Sequence, residues 1–256
     1  MAEVARAREV VASGYQAPRH ARSLPRAGVD GVYETGGLRY VVHLTGGARA
    51  DEKLPLVIDL PGGNAQPQST ARHVDGLLHE KARVVIPYGG VQFGRGYAWF
   101  PQGSGHANAH ADLARAMPPV ISRVSRGIDA IAAAWPTQGK PVVAGFSQGA
   151  ELTYALALTH PQEFGYACAL SGQVPPEVIR RAHPSGQLPE VHGYHGDRDN
   201  LIDVRDAKRT VSSLRRLGFT ADLKEYPERS HNDAGTGPDF GACIARGVRR
   251  ASPSNI

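Results

Sequence analysis

The stretch Pro141-Val-Val-Ala-Gly-Phe-Ser147-Gln-Gly-Ala150 decides the fold. The apolar, β-branched run Val142-Val143-Ala144 predicts a buried strand. Ala150-Glu-Leu-Thr-Tyr-Ala-Leu-Ala-Leu158 predicts a helix. Between them stands Gly145-Phe-Ser147-Gln-Gly149, a Gly-x-Ser-x-Gly turn in the strand–turn–helix setting that a nucleophile elbow requires. Such a turn lifts the serine hydroxyl above the edge of the sheet. The two glycines leave room where a Cβ would collide with the adjoining strand and helix. The backbone N–H of Gln148, opening the helix, faces the place where a negative oxygen would form.

Working outward, 256 residues suffice for an α/β domain with a full core. No apolar run approaches the ~20 residues of a membrane span. The net charge of +5 arises from arginines spread along the chain, without a basic block or an aromatic-interleaved stripe. That distribution argues against a nucleic-acid partner. Two cysteines, Cys168 and Cys243, allow at most one disulfide and exclude a disulfide scaffold. Cys168 lies in a strand-like run and reads as a small buried hydrophobe; Cys243 falls in a terminal helix. The N-terminus shows no long apolar stretch and no secretory pattern. A cytoplasmic location is therefore expected, with secretion left open if a leader has been removed.

In chain order, residues 1–28 read as a short helix and linker, and residues 29–256 as a single domain. Residues 31–47 predict two strands joined at Gly36-Gly37, a hairpin signal. Strands follow at 54–60 and 83–87, with helical spacing over 68–81. The Gly-rich segment 89–105, carrying Tyr97, Trp99 and Phe100, reads as a long loop. A long amphipathic helix over 110–135 leads into the elbow strand. Further strands are expected at 166–170, 191–195 and 221–226, a loop with a helical turn at 175–189, and helices at 204–217 and 240–249. Strands alternating with helices predict a mostly parallel sheet covered on both faces, opened by an antiparallel hairpin.

A serine hydroxyl needs a base, and the base needs an orienting carboxylate. Chain order Ser, Asp, His is the one this class of fold uses. His231 is the only histidine beyond the strand ending at His195. For the acid, Asp199 is preferred, with Asp197 and Asp203 as competitors. Asp197 directly follows the strand and is placed to cap a turn. Asp199 stands 52 residues after Ser147, and His231 another 32 on, each interval leaving room for about one helix–strand unit. A second oxyanion donor is expected from the backbone of Gly63, or Asn64 beside it, in Asp59-Leu-Pro-Gly-Gly-Asn64. Trp99, Phe100 and Gln173 are candidates for lining a substrate pocket. His106 and His110 have helical metal-ligand spacing but no third ligand, so no metal is expected, and no organic cofactor is required.

These residues resemble the carboxylesterase and acyl-protein thioesterase family of α/β-hydrolases. The resemblance runs from about Leu54 to the C-terminal helix. It rests on Gly145-Phe-Ser-Gln-Gly149, Ala169-Leu-Ser-Gly-Gln-Val-Pro175, His195-Gly-Asp-Arg-Asp199-Asn-Leu-Ile202, Tyr226-Pro with His231, and Ala98-Trp99-Phe100. The acid motif it contains favours Asp199 over Asp197. It implies an α/β-hydrolase fold, a small-molecule ester or thioester substrate and an acyl-serine route. Oligomeric state is not legible. One departure stands out: the family's Leu-His-Gly-x-Gly is Leu60-Pro-Gly-Gly-Asn64 here, with Gly63 at the donor position. Two other readings share the residues: an acyltransferase or natural-product lactone hydrolase on the same triad, and a non-catalytic binding module that retains the fold.

Overall fold

The computed structural model describes residues 31–74, 76–101, 109–233 and 238–252. The helix and linker expected over residues 1–28 lie outside them. Ten strands are described: β1 (Val32–Thr35), β2 (Leu38–Thr45), β3 (Leu54–Leu60), β4 (Ala82–Pro87), β5 (Val91–Phe93), β6 (Gly96–Ala98), β7 (Thr137–Phe146), β8 (Tyr166–Leu170), β9 (Glu190–Gly196) and β10 (Ala221–Tyr226). The helices are α1 (Pro67–Val74), α2 (Ala109–Ala134), α3 (Gln148–Thr159), α4 (Pro176–Arg181), α5 (Val204–Arg216) and α6 (Asp239–Ala251).

Eight strands form one sheet in the order β1-β2-β4-β3-β7-β8-β9-β10. The β1–β2 and β2–β4 pairs are antiparallel, and every pair from β4 to β10 is parallel. This is the mostly parallel sheet with an antiparallel hairpin at its start that the alternation predicts. Gly36 and Gly37, with φ of 60° and 78°, turn that hairpin in a conformation that glycine adopts without steric cost. The central strands read as unbroken apolar runs because both faces are covered: all seven residues of β3 and all five of β8 are buried. One face packs against α2, α3 and α5, through residues such as Leu56, Ile58 and Val143 meeting Ile128, Leu152 and Val211. The other packs against α1 and α6, where Val57, Val84 and Val142 meet Val74, Ile244 and Val248.

Three expectations need correction. Helical spacing predicts α1 through Lys81, but the helix stops at Val74, and Gly76 turns back onto His73. Residues 89–101 of the expected loop 89–105 are not a plain loop, and the rest lies outside the described residues: β5 and β6 form a two-stranded ribbon turned at Gly94 (φ 57°). All of β5 is exposed, so no alternation marks it in the sequence. Finally, Cys168 is not a free hydrophobe. It is bonded to Cys243, with Cα atoms 6.1 Å apart across 75 residues. The sequence offers no signal for this pair; it arises because α6 lies on the sheet face towards which Cys168 points.

That bridge is fully buried and pins the last helix to a central strand. Chain entropy alone assigns a cross-link closing so long a loop about 4 kcal/mol of stability. The double variant Cys168→Ala/Cys243→Ala is expected to lose a few kcal/mol by urea denaturation; an unchanged midpoint would contradict a stabilising role.

Candidate active site

The parallel strands deliver their C-terminal ends to one edge of the sheet, and the residues singled out in the sequence gather there. Ser147 stands between β7 and α3 with φ 53° and ψ −121°, a left-handed backbone conformation rare outside glycine. Its N–H donates to the Leu170 carbonyl at 2.9 Å, and its own carbonyl accepts from Glu151, starting α3. The turn closes tightly. A Cβ on Gly149 would come within 1.8 Å of the Leu60 carbonyl oxygen, so glycine alone lets β3 and α3 approach this closely.

The loop after β10 brings His231 to the serine. Its Nε2 lies 2.9 Å from Ser147 Oγ, and its Nδ1 lies 2.7 Å from Asp199 Oδ2. His231 is 4% exposed, packs its ring 5.1 Å from that of Phe146, and has its carbonyl held by the Ser171 hydroxyl at 3.0 Å. Of the three acids considered, the structure brings Asp199 to the histidine. Asp197 instead accepts from the Glu228 N–H, and Asp203 caps α5 by accepting from the Arg205 N–H.

The Asp199 carboxyl is wholly buried and receives four donors. Oδ1 accepts from the N–H groups of Leu201 and Ile202, each at 2.9 Å. Oδ2 accepts from His231 and, at 3.1 Å, from His195 Nε2. Burial disfavours its charge, but the bonds from His195, His231, Ile202 and Leu201 outweigh that and hold the pKa well below the usual carboxylate range. An ionised Asp199 only accepts, which places a proton on His231 Nδ1 and leaves Nε2 free to accept from the serine hydroxyl. Because its folded pKa is depressed, Asp199 stabilises the fold above its unfolded value near ~4 and loses that contribution as pH falls through the folded value.

His195 is the residue that sequence reasoning missed. Its i, i+4 spacing to Asp199 across the strand end was the available signal. Nε2 also reaches the Ile202 carbonyl at 2.9 Å, while Nδ1 is buried with no partner among the described residues.

The loop after β3 carries Gly63, which is half-buried. Among the described residues, no backbone hydrogen bond uses the N–H of Gly63, and that of Gln148 opens α3 without a helical acceptor. Trp99 and Phe100 follow β6 and are each 2% exposed; they contact Pro61 and Gln148. Gln173, 4% exposed, donates to Glu151 at 3.4 Å. His106 lies outside the described residues, and His110 pairs with Asp206 at 3.0 Å. Among the described residues no group of three or more His, Cys, Asp or Glu side chains could hold a metal ion.

Two buried carboxyls flank the site. Burial pushes Asp59, on β3, up to about 7. Burial also pushes Glu151, one turn beyond Ser147, up to about 8, against the lowering effect of its bond from Gln173. A raised folded pKa means that the folded state binds more protons than the unfolded one. Stability is then lost as pH rises from about 4 towards about 8. Glu151→Gln is expected to raise Tm more at pH 8 than at pH 4; an equal change at both would show that the carboxyl is not held neutral.

Comparison with known proteins follows the same lines. A profile of the phospholipase/carboxylesterase family matches residues 79–237. A probable carboxylesterase of Oryza sativa subsp. japonica is 32% identical over 92 residues, 35% of each chain. A second rice protein, named a probable inactive carboxylesterase, is 28% identical over 123 residues, 47% of this chain and 49% of its own. The alignments thus span between a third and a half of these relatives' lengths. The crystal structure of esterase PE8 superposes with a TM-score of 0.67 at 20% identity, over 80% of this chain and 99% of that one, a likeness of fold. Among the described residues no helix is long and apolar enough to cross a membrane.

Proposed function

The chain belongs to the phospholipase/carboxylesterase family, and from that membership we propose that it hydrolyses small-molecule carboxylic esters or thioesters through an acyl-serine intermediate. The observation that carries this reading is the continuous chain of contacts Ser147 Oγ–His231 Nε2 and His231 Nδ1–Asp199 Oδ2, at 2.9 and 2.7 Å.

Ser147 attacks the carbonyl carbon while His231 takes its proton. Asp199 holds the imidazole in the required tautomer and stabilises the imidazolium. The N–H groups of Gly63 and Gln148 receive the oxyanion, each lowering the barrier by roughly 3 kcal/mol. His231 then protonates the leaving alcohol or thiol, and water releases the acyl group by the same steps. The chemistry asks for no redox group.

Incubation with an activated short-chain ester, followed by acid quenching at early times, digestion and peptide mass spectrometry, should reveal an acyl adduct on the peptide containing Ser147. Hydrolysis without any adduct on that peptide, even when water is limiting, would count against the acyl-serine route. A second reading, a binding module that keeps the fold, draws support from the rice relative named inactive. It predicts neither adduct nor turnover.

For location, the buried Cys168–Cys243 bridge favours an oxidising compartment over the cytoplasm expected from the N-terminus. Alkylation of free thiols in the native host distinguishes them, since a protein from a reducing compartment would carry two alkylated cysteines.

A further inference from the structure

We infer that Trp99 is a positioning residue that braces both donors of the oxyanion hole at once. The inference rests on the reading of Ser147 as the nucleophile. The two donors come from segments far apart in the chain: Gly63 from the loop after β3, and Gln148 from the start of α3. Trp99 is hydrogen-bonded to a neighbour of the first, Pro61, and to the side chain of the second. Its indole Nε1–H donates to the Pro61 carbonyl at 2.7 Å, a buried contact. Its backbone N–H donates to the Gln148 side-chain Oε1 at 2.9 Å, with the Phe100 N–H adding a longer bond of 3.4 Å.

The need for a brace follows from the sequence of the loop. Pro61 fixes its own φ, but Gly62 and Gly63 after it leave the peptide planes free to turn at little cost. Because a peptide unit is planar, holding the Pro61 carbonyl fixes the orientation of the N–H that follows it. It thereby sets the direction from which the chain enters Gly62, the residue before Gly63. Gly62 is further confined against Phe146, where a Cβ would sit 2.9 Å from a ring carbon. The far side of the loop is held by the same ribbon. Asn64, at φ 65°, accepts from the N–H groups of Arg95 and Gly96 at 3.1 Å each, and Tyr97 donates to the Ala65 carbonyl at 3.0 Å. The β5–β6 ribbon and the residues after it thus act as one clamp, with Trp99 its only bond to Pro61 among the described residues.

This changes the role expected of Trp99. Its side chain is buried and its one polar hydrogen is already used, so it is placed to hold the loop rather than to meet a substrate. Loss of the indole bond should weaken stabilisation of the tetrahedral oxyanion and leave the Ser147–His231–Asp199 contacts in place.

The test compares wild type with Trp99→Phe, which keeps an aromatic ring but removes the donor. A second variant carries 3-benzothienylalanine at position 99, which keeps the indole shape and lacks only the N–H. The readouts are kcat and KM on one activated ester, the pH at which kcat/KM falls on the acid side, and affinity for a trifluoromethyl ketone. That ketone forms a tetrahedral adduct whose oxygen occupies the hole.

Misplacing one donor is expected to lower kcat by roughly 10- to 100-fold. Ketone affinity should fall by a similar factor in both variants, with KM within about threefold and the acid limb unmoved. A loss confined to KM would make Trp99 a pocket residue and overturn the inference, as would wild-type kcat in the benzothienyl variant. A wild-type protein that neither hydrolyses the ester nor binds the ketone would overturn the functional reading together with this one.

Discussion

Ser147→Ala is expected to lower kcat for ester hydrolysis by about 10⁴- to 10⁶-fold, the scale seen when a triad nucleophile is deleted elsewhere. The Oγ atom is the one that bonds to carbon, so no neighbouring group replaces it. Cys168 is tied up in a disulfide and lies at the back of β8. Whatever rate remains would come from direct attack of water on a carbonyl whose oxyanion the two proposed donors still hold. The fold should be unaffected, because the strained φ of 53° is set by the backbone and, among the described residues, the hydroxyl makes its bond only to His231. Steady-state kinetics with a circular-dichroism control measure this. A variant within tenfold of wild type would place the chemistry elsewhere.

Asp199→Asn is expected to cost about 10⁴-fold in kcat, by misplacing a proton rather than by removing an atom from the reaction. The carboxylate accepts from His231, His195, Leu201 and Ile202. An amide has one acceptor oxygen and two N–H donors, so it cannot satisfy four incoming donors. If its oxygen serves Leu201 and Ile202, its NH₂ faces His231. The imidazole then carries its proton on Nε2, directed at Ser147, where a base is needed. Some stability should be lost as well, so kinetics must be measured below the variant's own Tm. A well-folded Asp199→Asn protein within tenfold of wild-type kcat would show that His231 needs no ionised partner.

Much of this architecture could be read before any coordinates. The elbow strand and helix were legible because a β-branched run, two glycines and a helix-forming run follow one another without interruption. His231 was legible because no other histidine lies beyond His195. Asp199 was harder. Three aspartates within seven residues are each able to cap a turn, and only the loop's path shows that Asp199 also reaches His231, while Asp197 bonds the Glu228 N–H and Asp203 caps α5. The disulfide, the β5–β6 ribbon and the second histidine on Asp199 were not read. The disulfide depends on how a helix lies on a sheet, β5 has no buried face to impose alternation, and the histidine contact depends on the loop's path. Trp99 shows the same limit from another side. Its neighbours in sequence suggest a substrate wall, whereas the bracing role proposed for it rests on contacts with residues 38 and 49 positions away.

The most direct test of the central claim is labelling by a fluorophosphonate, with the modified peptide located by mass spectrometry, in wild type and His231→Ala. A hydroxyl made nucleophilic by its neighbours reacts with this probe, and an ordinary serine does not. The account predicts a single modification at Ser147 in wild type and its loss in the variant. Folded wild-type protein that stays unlabelled, or a His231→Ala protein that labels as fast as wild type, would contradict it.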